Sequence, residues 1–158
     1  MYKTKDFILM DVFKPQGEKL GYINDLYLDI NESKVCGFEI KSTNLFKKNF
    51  SIKTEKIIFF NDYMLVEDSE DISKMKFSTI KGMDVINMKK DIIGIVEDLI
   101  FCKDNFMIIG IVINSGFLAD WTNGKKIILL KDLLIGEKNI LCSSSSNMNL
   151  KAVFHKPF

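Results

Sequence analysis

The stretch DVFKPQGEKLGYINDLYLDINESKVCGFEI, Asp11 to Ile40, is followed 73 residues later by DVINMKKDIIGIVEDLIFCKDNFMIIGIVI, Asp84 to Ile113. The two align without a gap. Met10, Asp11, Val12, Gly21, Asp25, Leu26, Gly37, Ile40 and Ser42 recur as Met83, Asp84, Val85, Gly94, Asp98, Leu99, Gly110, Ile113 and Ser115. Apolar exchanges fill much of the rest: Leu20/Ile93, Ile23/Val96, Val35/Ile108 and Phe38/Ile111. A period this long, present twice, marks a duplicated domain; a solenoid needs at least three stacked units.

Each copy reads as β-structure. VCGFEIK alternates, which places Cys36, Phe38 and Ile40 on one face and Gly37, Glu39 and Lys41 on the other. Period 2 with one polar face marks a half-buried strand. QGEKLG and INESK bring the Gly, Asn and Ser chemistry of tight turns. No segment holds a 3.6-residue apolar period over three turns. Short strands with glycine at the bends point to a small barrel or sandwich. Further on, IKTEKIIFFNDYML (Ile52–Leu65) is set over LLKDLLIGEKNILC (Leu129–Cys142) at an offset of 77. That gives repeat 2 four extra residues, in the loop between Ser115 and Leu129. The expected organisation is repeat 1 over 1–68, a polar linker over 69–78, repeat 2 over 79–146, and a tail over 147–158.

The order MDV, a turn, G-apolar-apolar-x-D-L, a turn, then G-apolar-x-I resembles the PRC-barrel domain in both copies. The resemblance implies an all-β fold of two tandem small PRC-type β-barrels related by internal duplication. It also implies docking in place of catalysis. The family includes the cytoplasmic domain of the photosynthetic reaction-centre H subunit and the C-terminal domain of ribosome maturation factors. No membrane anchor precedes repeat 1, and no separate barrel of the maturation-factor kind precedes it, so neither specific role is expected.

Composition bounds the function. With 47% hydrophobic and 27% charged residues among 158, the chain reads as a globular protein. Its apolar runs, such as MIIGIVI, fall far short of the roughly 20 residues a membrane helix needs. No signal-peptide pattern opens the sequence, so no membrane span and a cytoplasmic location are expected. Net charge is +1, and all 22 basic residues are lysine. Arginine's planar fork is what grips phosphate and guanine in two places, so its absence speaks against specific nucleic-acid binding. The pairs Lys47–Lys48, Lys89–Lys90 and Lys125–Lys126 read as solvated turns. Three cysteines, Cys36, Cys102 and Cys142, form no CxxC pair, so no zinc site or disulfide framework is expected.

The chemistry of an active site is not expected either. His155, the sole histidine, stands in the tail VFHKPF. Asp25 and Asp98 read as backbone-bonding aspartates at bends. SGFLADWTNG lacks the phosphate-loop pattern, and CSSSSN has no base beside it in sequence. No catalytic residue, cofactor or metal is therefore assigned. The sharper feature is the longer loop of repeat 2, where Phe117, Leu118 and the single tryptophan, Trp121, stand among turn residues. Such rings either anchor a partner or fold back to close a barrel end. Repeat 1 has the shorter STNLFKKNF there. On the outer face of the third strand, Gly37, Glu39 and Lys41 become Gly110, Val112 and Asn114, which points to a covered face in repeat 2.

The expectation is a non-catalytic protein-binding or adaptor module, not an enzyme. Its partner is a protein, with a second copy of the chain as one candidate. The alternatives are a ribosome- or RNA-associated assembly factor and a small-molecule-binding protein.

Overall fold

A computed structural model describes residues 1–44, 46, 48–116 and 125–143. In chain order the first repeat holds β1 (Tyr2–Lys3), β2 (Asp11–Phe13), β3 (Lys19–Asp29), β4 (Lys34–Ser42), β5 (Phe50–Lys53), β6 (Ile57–Phe60) and β7 (Tyr63–Val66). The second holds β8 (Met75–Lys76), the single-turn α1 (Phe77–Ile80), β9 (Asp84–Ile86), β10 (Ile92–Phe101), β11 (Ile108–Asn114), β12 (Lys126–Leu129), β13 (Leu133–Ile135) and β14 (Asn139–Cys142). The fold is mostly β, in two sheets. One runs β5-β4-β3-β2-β7-β6 and the other β12-β11-β10-β9-β14-β13. Replacing each strand by its copy turns one order into the other.

The register repeats as well. Val12 lies opposite Gly21 and, across a parallel pair, opposite Met64. Val85 lies opposite Gly94 and, again in parallel, opposite Ile140. One extra residue, Leu20 in β3 and Ile93 in β10, bulges just before the glycine in each copy. The glycines themselves let strands approach closely. A Cβ on Gly21 would meet the Lys41 carbonyl oxygen at 2.1 Å, and one on Gly94 would meet that of Asn114 at 2.7 Å. Both contacts are shorter than any side chain tolerates.

The later strands correct the sequence alignment. β5 corresponds to β12 and β7 to β14 at an offset of 76, not 77, since Ile52 pairs with Phe38 as Ile128 pairs with Ile111. Repeat 2 therefore carries three extra residues in the β11–β12 loop, not four. A one-residue slip exchanges the two faces of a strand, so the difference matters. With the offset at 76, the core positions coincide. Val12, Ile23, Leu26, Phe38, Ile40 and Met64 are matched by Val85, Val96, Leu99, Ile111, Ile113 and Ile140, all at most 1% exposed.

A second correction lies in β4. Leu28 pairs with Val35 and Tyr27 with Gly37, so Cys36 is an extra, bulged residue. Val35 takes the core position and is fully buried. Cys36 is half-buried, and its thiol donates to the Tyr27 carbonyl at 3.4 Å.

The compact units do not follow the repeats. Unit 1 contains Met1–Thr79 together with Phe101–Ile108, and unit 2 contains Ile80–Ile100 and the described residues from Ile109 onward. Within unit 1, Phe101 and Phe106 join an aromatic core. Phe7 lies 5.2 Å from Phe38 and 5.5 Å from Phe101, while Phe106 lies 6.1 Å from Phe38 and 5.7 Å from Phe60. Ring pairs at such separations favour offset or edge contacts and add to the burial of large apolar area. The segment is also tied by its backbone. Val35 N–H donates to the Phe106 carbonyl at 3.0 Å, and Ile108 N–H to that of Ser33 at 2.7 Å.

Candidate functional site

Phe117, Leu118 and Trp121 lie outside the described residues, as do His155 and Ser144 to Ser146. At the near edge of that loop the Ser115 hydroxyl donates to the Ile93 carbonyl at 3.1 Å. At its far edge Lys125 pairs with Glu97. The corresponding loop of repeat 1 presents Phe46, which is 97% exposed. The Asn44 side chain accepts from Phe46 N–H at 2.9 Å and shapes that turn.

Asp25 and Asp98 hold backbone. Each is buried, and each accepts from the next residue's N–H at 2.8 Å, Leu26 for one and Leu99 for the other. Asp25 also accepts from Ser78 N–H at 3.2 Å. A carboxylate so bound within a strand fixes the local backbone. The three cysteines are free thiols, and among the described residues no three His, Cys, Asp or Glu side chains group as a metal site.

The unpredicted surface is on unit 1. Core residues Met64 and Val66 point inward from β7, so Tyr63 and Leu65 point outward by the two-residue alternation of a strand. Phe13 and Phe59 pair with Leu65 from either side. Tyr63 lies 5.9 Å from Phe13 and 5.8 Å from Phe59, which gives an outward aromatic row across β2, β7 and β6. Phe59 is 46% exposed, Tyr63 42%, and Ile58, bulged beside them, 52%. Lys19 closes one end over the Phe13 ring and pairs with Asp11 at 2.7 Å.

A cleft of about 460 Å³ follows the same edge strand. All four residues of β6 line it, together with Thr54, Lys103, Asp104 and Phe106. β6 ends the sheet path and has β7 as its neighbour. An edge strand beside a groove is a ready place for another chain to pair.

The other arrangement is polar. Glu39, on the outer side of β4, is 8% exposed. Its carboxylate accepts from the Asn24 amide and from the Lys76 ammonium, each at 2.6 Å. Burial pushes Glu39 up, but Lys76 and the Asn24 amide outweigh it and hold its carboxyl below the usual range. Lys76 belongs to β8, whose two residues pair antiparallel with Tyr27 and Leu28. The stretch read as a linker therefore lies on unit 1. Lys74 pairs with Asp29 at 2.6 Å, Glu70 with Lys53 at 2.5 Å, and Ile72 packs over Gly37. The sequence signal was available in the spacing of Lys74 and Lys76, which puts both on one side of an extended strand.

Comparison with known families completes the picture. The family model described as PRC-barrel domain matches residues 1–72 and again 73–146. No curated protein matches the sequence. Among the described residues, no helix is long and apolar enough to cross a membrane.

Proposed function

The chain belongs to the PRC-barrel domain family in both of its halves, and on that premise we propose that it is a non-catalytic protein-binding module. The observation that carries this reading is the outward aromatic row of unit 1, Phe13–Tyr63–Phe59, on a sheet edge that opens into a cleft. Large rings at the surface of a sheet gain nothing from water, and exposed apolar patches of this kind serve interfaces. Aromatic anchors also lose little side-chain freedom on binding. The β11–β12 loop supplies a second set of anchors in Phe117, Leu118 and Trp121. The partner is a protein, and the work is docking.

The test compares wild type with Phe59→Ala, Tyr63→Ala and Trp121→Ala in capture of the native partner, beside denaturant melts of each. Anchor residues should lose about 2 kcal/mol of binding on truncation, with folding stability little changed. A large loss of stability with capture unchanged would make these rings structural. Tight, salt-sensitive RNA binding would favour the assembly-factor reading instead.

A further inference from the structure

Repeat 2 places Val112 where repeat 1 has Glu39, and Val112 is 3% exposed. The fold therefore has no need of a carboxylate at this point. A buried carboxylate without a cation is strongly unfavourable, so Glu39 demands a positively charged occupant above it. Asp29, 14% exposed at its side chain, extends the same requirement along β3. Lys74 and Lys76 satisfy both, two residues apart, Lys76 from within the two-residue β8 and Lys74 from just before it.

We propose that this acidic face of unit 1 is a receptor for a short extended segment bearing two lysines two residues apart, and that residues 70–76, which end just before the buried Phe77, are its resident, exchangeable occupant. The face reads charge at Asp29 and Glu39 and reads backbone along β3, where Met75 and Lys76 pair with Leu28 and Tyr27. Just beyond the segment, past the buried Phe77, Asp25 holds the backbone N–H of Ser78 and fixes where the occupant is anchored. Of the remaining charged neighbours, Glu55 is neutralised by Lys34 at 2.8 Å, and Lys53 pairs with Glu70 of the occupant itself. A partner strand is therefore also favoured by an acidic residue four before its first lysine. A basic partner strand would make the same pairs. It has to compete with a tethered occupant, whose effective concentration is on the order of millimolar for a short linker. The wild-type face is then a weak, displaceable receptor, and weakening the resident lysines unmasks it. This surface is separate from the aromatic row, so the two readings stand or fall independently.

The experiment uses the full chain and a dye-labelled peptide, EDISKMK, the sequence of residues 70–76. Fluorescence anisotropy is read on wild type, on Lys74→Glu/Lys76→Glu, and on that variant with Glu39→Val added. Binding at least tenfold tighter to the lysine variant than to wild type is expected, with that gain lost on adding Glu39→Val. A peptide with both lysines reversed to glutamate should not bind. Equal binding of the reversed peptide, or none at all to a folded lysine variant, overturns the proposal. Wild-type hydrogen exchange decides the matter if the variant does not fold. The amides of Met75 and Lys76 should exchange at least 100-fold faster than those of Phe38 and Ile40. Exchange of all four at one common rate shows that the segment never leaves, and overturns the proposal as well.

Discussion

Units 1 and 2 share one strand path and one set of core positions, yet they solve two local problems differently. The core of unit 1 is aromatic, with Phe7, Phe38, Phe101 and Phe106 in one connected cluster. In unit 2 the corresponding third-strand position is Ile111, with Val96 and Leu99 at its other matched sites. On the outer face, unit 1 buries Glu39 beneath a lysine and unit 2 buries Val112. The duplicated backbone thus fixes where residues must be buried, and it leaves open whether rings, aliphatics or a neutralised charge fill the place. What differs between the copies is then the best guide to what each copy was adapted to do.

The largest effect should come from the aromatic core. Phe38→Ala should cost about 3–5 kcal/mol, because the lost ring leaves a cavity among others that cannot collapse. Ile111→Ala, the matched change in unit 2, should cost about 2–5 kcal/mol. Denaturant melts measure both, and a negligible cost at Phe38 would break the claim that this ring is central to unit 1.

Next comes the outer face. Lys76→Met should cost roughly 1–3 kcal/mol, below the ~3–5 kcal/mol of a fully buried broken pair, because Lys76 is itself partly exposed. Adding Glu39→Val should bring stability back to within about 1 kcal/mol of wild type, since it installs the solution used by unit 2. A double variant as unstable as the sum of its singles would show that the two copies are not interchangeable here.

Smaller still is the cost of trimming the surface. Phe59→Ala should change folding stability by less than about 1 kcal/mol, as expected for a half-exposed ring outside the core. A core-sized loss would remove Phe59 from the set of binding anchors.

The smallest effect is that of acid. Glu39 is held below its ordinary value of 4.5, so its contribution is complete above that pH and fades as pH falls through the lower folded value. The Glu39→Val/Lys76→Met variant should therefore lose less stability than wild type on acidification below about pH 4.5. Parallel losses in the two proteins would show that Glu39 does not carry the acid response.

The sequence was legible wherever its pattern had a phase. Nine identities at one offset located β2, β3 and β4 and their copies, and the glycines fell where strands come closest. The offset slipped to 77 where Ile127, Ile128, Leu129 and Leu130 form an unbroken apolar run, with no alternation to choose between registers. Cys36 was placed on the core face because a bulge adds a residue without leaving a mark in the hydrophobic pattern. The polar stretch 69–78 reads as a linker because its alternating lysines meet carboxylates distant in sequence. The same distance hid the membership of Phe101–Ile108 in unit 1. Of the interaction surface, the sequence drew attention to the β11–β12 loop. It gave no comparable weight to Phe59 and Tyr63, whose outward direction follows only once Met64 and Val66 are known to be inside.

The equivalence of the two copies, residue for residue, is tested most directly by methyl-labelled NMR of the intact chain. Parallel pairing puts Val12 beside Met64 and Val85 beside Ile140, all four fully buried. Nuclear Overhauser contacts between the methyl groups of Val12 and Met64, and between those of Val85 and Ile140, are the predicted result. A contact from Val85 to Leu141 in place of Ile140 would restore the 77-residue offset and contradict the shared register.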